Sequence, residues 1–253
     1  MSSTLDNPFA VFVLSLVAQW LAAYVGDFLG RKRRRPNQDE QKEFDTIHTA
    51  TLTLLALIIG FTFSMAVTRY DQRKNYEEAE ANAIGTEYVR VDLLPVEDAA
   101  RVRQLLKQYL DQRIEFYETP DDRKVRKINA DTEKLQAELW SILLPAASSQ
   151  PNAVIALAVS GLNDVLNSQG YTQAAWWNRI PLGAWALMGL IAIASSLLIG
   201  FGERRKGMLL LPILPVIVSV SFLLIADIDS PRGGIIRVLP HNLIALSQTI
   251  NAQ

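Results

Sequence analysis

Two histidines, no cysteine and a few clustered acidic and basic side chains make up the reactive chemistry of this sequence. His48 and His241 lie far apart and neither has a ligand-spaced partner, so no metal site is expected. The lack of Cys removes disulfides, thiolate centres and thiol nucleophiles. No glycine-rich phosphate loop or G-x-S-x-G elbow occurs, and Ser160-Gly161 sits in an apolar helical stretch that reads as packing. The chain is therefore not read as an enzyme, and no cofactor is expected. Two clusters remain. Arg69 and Arg73 stand one helical turn apart, placed either to concentrate anions at a pore mouth or to snorkel and pair with Glu77. Asp227 and Asp229 are too few for a calcium site, which needs six or more oxygens, and are placed to cap the tail or to contact Arg69 and Arg73.

The elements that carry these residues are mostly apolar. Residues 9–29, 46–67, 181–201 and 208–226 are runs of 19–22 residues, close to the ~20 that a helix needs to cross ~30 Å of hydrocarbon. The mean hydropathy is only +0.13, because residues 69–179 are polar and charged. The expected class is all-α: four transmembrane helices, with a helical bundle outside the membrane between the second and third. The parts are residues 1–68, a first hairpin with a basic loop; 69–180, the extramembrane domain; 181–227, a second hairpin; and 228–253, a short tail. With 25 Lys and Arg against 26 Asp and Glu there is no basic field for nucleic acid.

Within the second span Thr49, Thr53, Gly60, Ser64 and Thr68 recur at mostly helical spacing, which suits either close helix packing or a polar path. No helix breaker follows, so one long helix is expected to leave the membrane and end before Pro95. Further helices are expected over residues 96–118; from Thr119 as cap, with Pro120 as first residue, to about 144; and over 152–168, ending near Gly170. In the first span Gln19, Trp20, Tyr24 and Asp27 read as an interfacial group, as do Tyr171, Trp176 and Trp177 before the third. Pro212 and Pro215 are expected to kink the fourth span near its start.

Charge sets the expected orientation. The first short loop carries Arg31, Lys32, Arg33, Arg34, Arg35 and Lys42, and the second Arg204, Arg205 and Lys206. These nine outnumber the seven basic residues flanking the spans on the other side (Arg69, Arg73, Lys74, Arg90, Arg179, Arg232 and Arg237) and are far denser. Positive-inside reasoning puts both short loops in the cytoplasm and the helical domain in the periplasm. The basic run also suits lipid headgroups.

The stretch Gly60-Phe61-Thr62-Phe63-Ser64-Met65-Ala66-Val67-Thr68-Arg69-Tyr70 resembles the bestrophin pore helix. The longer pattern, through Arg73, Glu80-Ala81-Asn82-Ala83-Ile84-Gly85-Thr86 and Arg90 to Asp92-Leu93-Leu94-Pro95, resembles a bacterial family of four-span bestrophin-like membrane proteins. Asp227-x-Asp229-x-Pro231-x-x-Gly234 resembles that family's C-terminal signature. The likeness to the bacterial family covers most of the chain, and that to true bestrophins about eleven residues. True bestrophins are pentameric anion channels with cytosolic helical domains. The resemblance implies a homo-oligomer, a pentamer, in a bacterial inner membrane. It places Phe61 at an apolar neck, with Leu57 and Thr53 on the same face. Thr53 is polar where the family's neck is apolar, and the acidic calcium-binding run of animal bestrophins is missing. The resemblance also puts the domain in the cytosol, against the charge count.

The expected function is an oligomeric channel conducting anions, its pore lined by Thr53, Leu57, Gly60, Phe61, Ser64 and Thr68 with Arg69 and Arg73 at the mouth. The alternative is a membrane-anchored sensor or scaffold whose helical domain binds a partner or ligand.

Overall fold

The computed structural model describes residues 7–31, 37–149, 152–202 and 212–252. Lys32–Arg35, Arg204–Lys206 and residues 208–211 of the expected fourth span lie outside the described residues. Among the described residues there is no strand, and the helices are α1 (Pro8–Arg31), α2 (Gln38–Arg90), α3 (Val96–Glu118), α4 (Asp122–Ser149), α5 (Ala153–Trp177), α6 (Leu182–Gly202), α7 (Ile213–Asp229) and α8 (His241–Asn251), with a single 3-10 turn, Val91–Leu93. Among the described residues three stretches are long and apolar enough to cross a membrane: Pro8–Arg31, Gln38–Leu93 and Ala153–Gly202. The described part of α7 has 17 residues.

The chain forms two compact units, one of residues 1–69 and 179–237, the other of 70–178 and 238–253. The stretch expected as a single tail is thus divided between them.

In the first unit α1 packs on α6 and α7. The approach is close because small residues face each other. A Cβ on Gly26 would overlap Leu197 O, one on Gly200 would overlap Ala23 O, and one on Gly30 would lie 2.6 Å from Phe201 O. Where lipid removes the hydrophobic drive between helices, such backbone contact is a main source of association. Gln19 is not interfacial but buried, donating to Ser219 Oγ of α7 (3.1 Å) and accepting from Ser196 Oγ of α6 (3.4 Å), so one amide ties three helices. Asp27 pairs with Arg31 at 2.6 Å. Pro212 caps α7 and Pro215 falls in its first turn, where its missing N–H is not needed. Both prolines therefore sit at the start of the described helix, and the expected kink falls against residues 208–211, outside the described residues.

In α2 the helix begins earlier than the apolar run. Asn37 Oδ1 accepts from Glu40 N (2.8 Å) and Glu40 Oε2 from Asn37 N (3.4 Å), a capping box that starts the helix at Gln38 rather than Thr46. No Pro interrupts the next 53 residues, a rod of roughly 80 Å. Arg90 leads into the 3-10 turn, and Pro95 starts α3.

The second unit packs α3, α4, α5 and α8 with the C-terminal part of α2 around a core including Ile84, Val102, Leu106, Phe116, Leu139 and Leu162. Three boundaries differ from expectation, one being the end of α4, which runs through Pro145 to Ser149 rather than stopping near 144. Asp121, not Thr119, caps α4 through Arg123 N (2.8 Å), so the helix starts after Pro120. Asn152 caps α5, accepting from Val154 N and Ile155 N. Gly170 does not end this helix, which continues to Trp177. Trp176 is consequently not part of an interfacial belt: it is buried, 4.9 Å from the Phe116 ring and 5.4 Å from that of Tyr117. Trp177 and Tyr171 are exposed, and Tyr171 stacks on Tyr76.

Candidate functional site

Helix periodicity divides α2 into two faces. Thr53, Leu57, Gly60, Phe61, Ser64 and Thr68 form one stripe, and all six are exposed in the single chain, Phe61 by 66%. Leu55, Thr62 and Ala66 are buried on the other side. Several threonines of α2 are satisfied within their own helix: Thr53 donates to Thr49 O (2.9 Å), Thr62 to Ile58 O (2.8 Å) and Thr68 to Ser64 O (2.9 Å). Beside the stripe, α2 and α7 enclose an open apolar groove of about 520 Å³ whose lining includes Leu55, Ile59, Gly60, Phe63, Val218 and Leu224.

Arg69 and Arg73 do not continue the exposed stripe. Arg69 is largely covered and pairs with Asp229 at 3.7 Å. Arg73 is buried and donates to Ala175 O and Asn178 O, both at 3.3 Å. Their spacing predicts a shared face, which they have, but it is the packed one. Helical period relates them to Thr62 and Ala66 rather than to Ser64 and Thr68.

The C-terminal signature is a fastening within the first unit. Asp229 accepts from Arg179 Nε (3.0 Å) and Ile180 N (3.2 Å), besides pairing with Arg69. Asp227 accepts from Ile235 N (2.7 Å) and Ile236 N (2.8 Å), turning the chain back on the end of α7. Gly234 is required because a Cβ there would overlap Asp227 O. Pro231 lies within this turn. Of the sequence-level alternatives for the two aspartates, capping describes Asp227 and contact with Arg69 describes Asp229.

The charged cluster of the second unit lies in the region rich in ionisable residues that follows the apolar part of α2. Glu80, fully buried, accepts from Arg113 Nε (2.5 Å), Thr172 Oγ1 (3.1 Å) and Tyr117 OH (3.4 Å). Arg113 also lies over the Phe116 ring, 4.4 Å from its centroid. Burial, the largest single cause, works to lower the Arg113 pKa, but the charge and hydrogen bond of Glu80 together with Tyr109 and Tyr117 outweigh it and the net direction is upward. Burial, followed by Glu80, drives the Tyr109 and Tyr117 hydroxyls upward, so both stay neutral. Glu77 receives Asn242 N (2.9 Å) and Leu243 N (3.0 Å), so a carboxylate from α2 caps the positive end of α8. His48 stacks on Phe44, and among the described residues no group of three metal-ligating side chains occurs.

The model of the bestrophin-like domain matches residues 11–243. The chain belongs to the bestrophin-like family. A comparison with curated protein sequences found no match. Among solved structures, bacterial bestrophin homologues from Klebsiella pneumoniae share the fold of this bestrophin-like protein. A variant with a tryptophan replaced by alanine has 16% identity and a TM-score of 0.66, covering 95% of this chain and 94% of that one. A structure phased with zinc has 16% identity and a TM-score of 0.63 over the same shares. Family and apolar helices together make this an integral membrane protein.

Sequence reasoning missed two positioning features of this bestrophin-like chain. Gly26 and Gly30 form a G-x-x-x-G pair, a readable signal for close helix approach. Gln19 carried no such signal, since its partners Ser196 and Ser219 come from helices nearly 200 residues away.

Proposed function

We propose that the protein is an oligomeric anion channel whose pore is lined by α2. The reading is carried by the α2 stripe: hydroxyls, a glycine and two apolar side chains are aligned and uncovered, while the opposite face is packed. One subunit cannot surround such a stripe; a closed ring of copies can, and the family points to five. The fourth crossing is the one read from the sequence as the apolar run 208–226, of which α7 is the described part. Leu57 and Phe61, one turn apart, form an apolar neck between Thr53 and the Ser64–Thr68 segment, and such constrictions gate by dewetting. The arginine ring is not part of this reading, since Arg69 and Arg73 are engaged on the packed face. Anion preference then rests on the family resemblance.

Native mass in mild detergent is expected to show a discrete ring of about four to six subunits. In bilayers chloride should carry the current, and Phe61→Ala should raise unit conductance severalfold. A monomer or dimer, or cation-selective current, would overturn the reading; in the latter case the exposed Asp71 and Glu78, further along the same helix, would be the first residues to neutralise. A monomer would leave the sensor or scaffold reading in the lead.

The protein is placed in the bacterial inner membrane. Positive-inside charge puts the domain of residues 69–180 in the periplasm, whereas the bestrophin arrangement puts it in the cytosol. A cysteine at the exposed position Glu118 should react with an impermeant reagent on intact cells if the charge rule governs. Protection would establish the opposite orientation, and the chain has no native thiol to interfere.

A further inference from the structure

Three glutamates of α2, Glu77, Glu80 and Glu87, are buried on the side facing the second unit. Glu77 and Glu80 are each held by several donors. Glu87 is 0% exposed, yet neither carboxyl oxygen has a hydrogen-bond partner. It lies against Gly161 of α5, for a Cβ there would overlap Glu87 Oε2. The glycine makes room for the carboxyl and supplies no donor to it.

We propose that the Glu87 carboxyl is a proton-binding site, neutral at physiological pH, and that losing its proton weakens the contact between α2 and α5. The charged groups that bear on it are Arg90, on the same helix, and Asp164 of α5. Arg90 Nη1 is directed to Leu157 O (3.5 Å) and Asp164 Oδ2 (3.9 Å) and forms no ion pair with Glu87. Asp92 of the following turn is paired with Arg103 of α3. An anion at Glu87 would thus have neither water nor a donor, a state that buried carboxyls avoid by keeping the proton. Burial, the chief cause, pushes the group up from 4.5 to about 8; Arg90 opposes the shift and Asp164 adds to it.

The sign of the linkage follows. Between these two values the folded chain holds a proton that the unfolded chain has released. Stability is greatest below about 4.5, falls as pH rises towards about 8, and levels off beyond. Within that window this group alone lowers the folded-to-unfolded ratio about tenfold per pH unit. The test is infrared titration of the full chain in detergent, together with its stability across the same pH range. A protonated-carboxyl band present at neutral pH should vanish with a midpoint near 8. Glu87→Gln should lack the band and lose the Glu87 part of the pH slope. A band that survives the substitution, or no protonated carboxyl at neutral pH, overturns the proposal. Should the variant fail to fold, titration of the native chain decides by its midpoint. The outcome is independent of whether the protein conducts.

Discussion

Replacing Arg113 with leucine should destabilise the protein more than any other single change in the helical unit. The substitution leaves Glu80 fully buried with only Tyr117 and Thr172 as donors. Removing one partner of a buried pair typically costs about 3–5 kcal/mol, because the surviving charge has lost both water and counter-ion. The Phe116 ring also loses the guanidinium stacked on it. For a unit of this size the expected fall in melting temperature is roughly 10 °C or more. Thermal unfolding in detergent measures it. Adding Glu80→Gln to Arg113→Leu should recover part of the loss, since the stranded charge is then gone. An Arg113→Leu protein melting like the native one would show that Glu80 finds water or another cation in solution.

The second large effect is expected in the first unit. Gly200→Val places side-chain atoms where Ala23 O now lies, and the obstacle is backbone, which cannot swing aside. The helices α1 and α6 must separate, and the hydrogen bond from Ser196 to Gln19 goes with their contact. The cost should exceed the about 1–3 kcal/mol usual for an overfilled core. Loss of the monodisperse peak on size exclusion is the expected readout. Gly60→Ala is the matched control: nothing lies within 4 Å of a Cβ there, so the fold should survive even if conduction changes. A well-folded Gly200→Val protein would mean that these helices do not meet as closely as described.

Much of the architecture could be read locally. The long α2, the helix from Val96 to Glu118 and the start of α5 near residue 152 follow from apolar period and propensity within a few residues of each site. Departures arose where distant residues decide. Gly170 does not end α5, because the next turns bring Trp176 onto Phe116 and Tyr117, and that packing outweighs a glycine's cost. The tail becomes α8 because Glu77, over 160 residues earlier, takes its first N–H groups. Among the site residues, the exposed stripe was legible as a helical face. For Arg69 the sequence offered several partners, Glu77 and the two C-terminal aspartates among them, and only the fold selects Asp229. Spacing tells which residues share a face, and only tertiary contact tells which face is covered.

The threonines of α2 bear on biogenesis. Because Thr53, Thr62 and Thr68 donate to carbonyls four residues earlier, their hydroxyls are content with lipid, protein or water as a neighbour. A newly inserted subunit can therefore wait alone in the bilayer without a desolvation penalty on these groups. For the proposed ring, assembly would then follow insertion as a separate step, governed by how many copies the membrane holds rather than by a polar seam that must be closed at once.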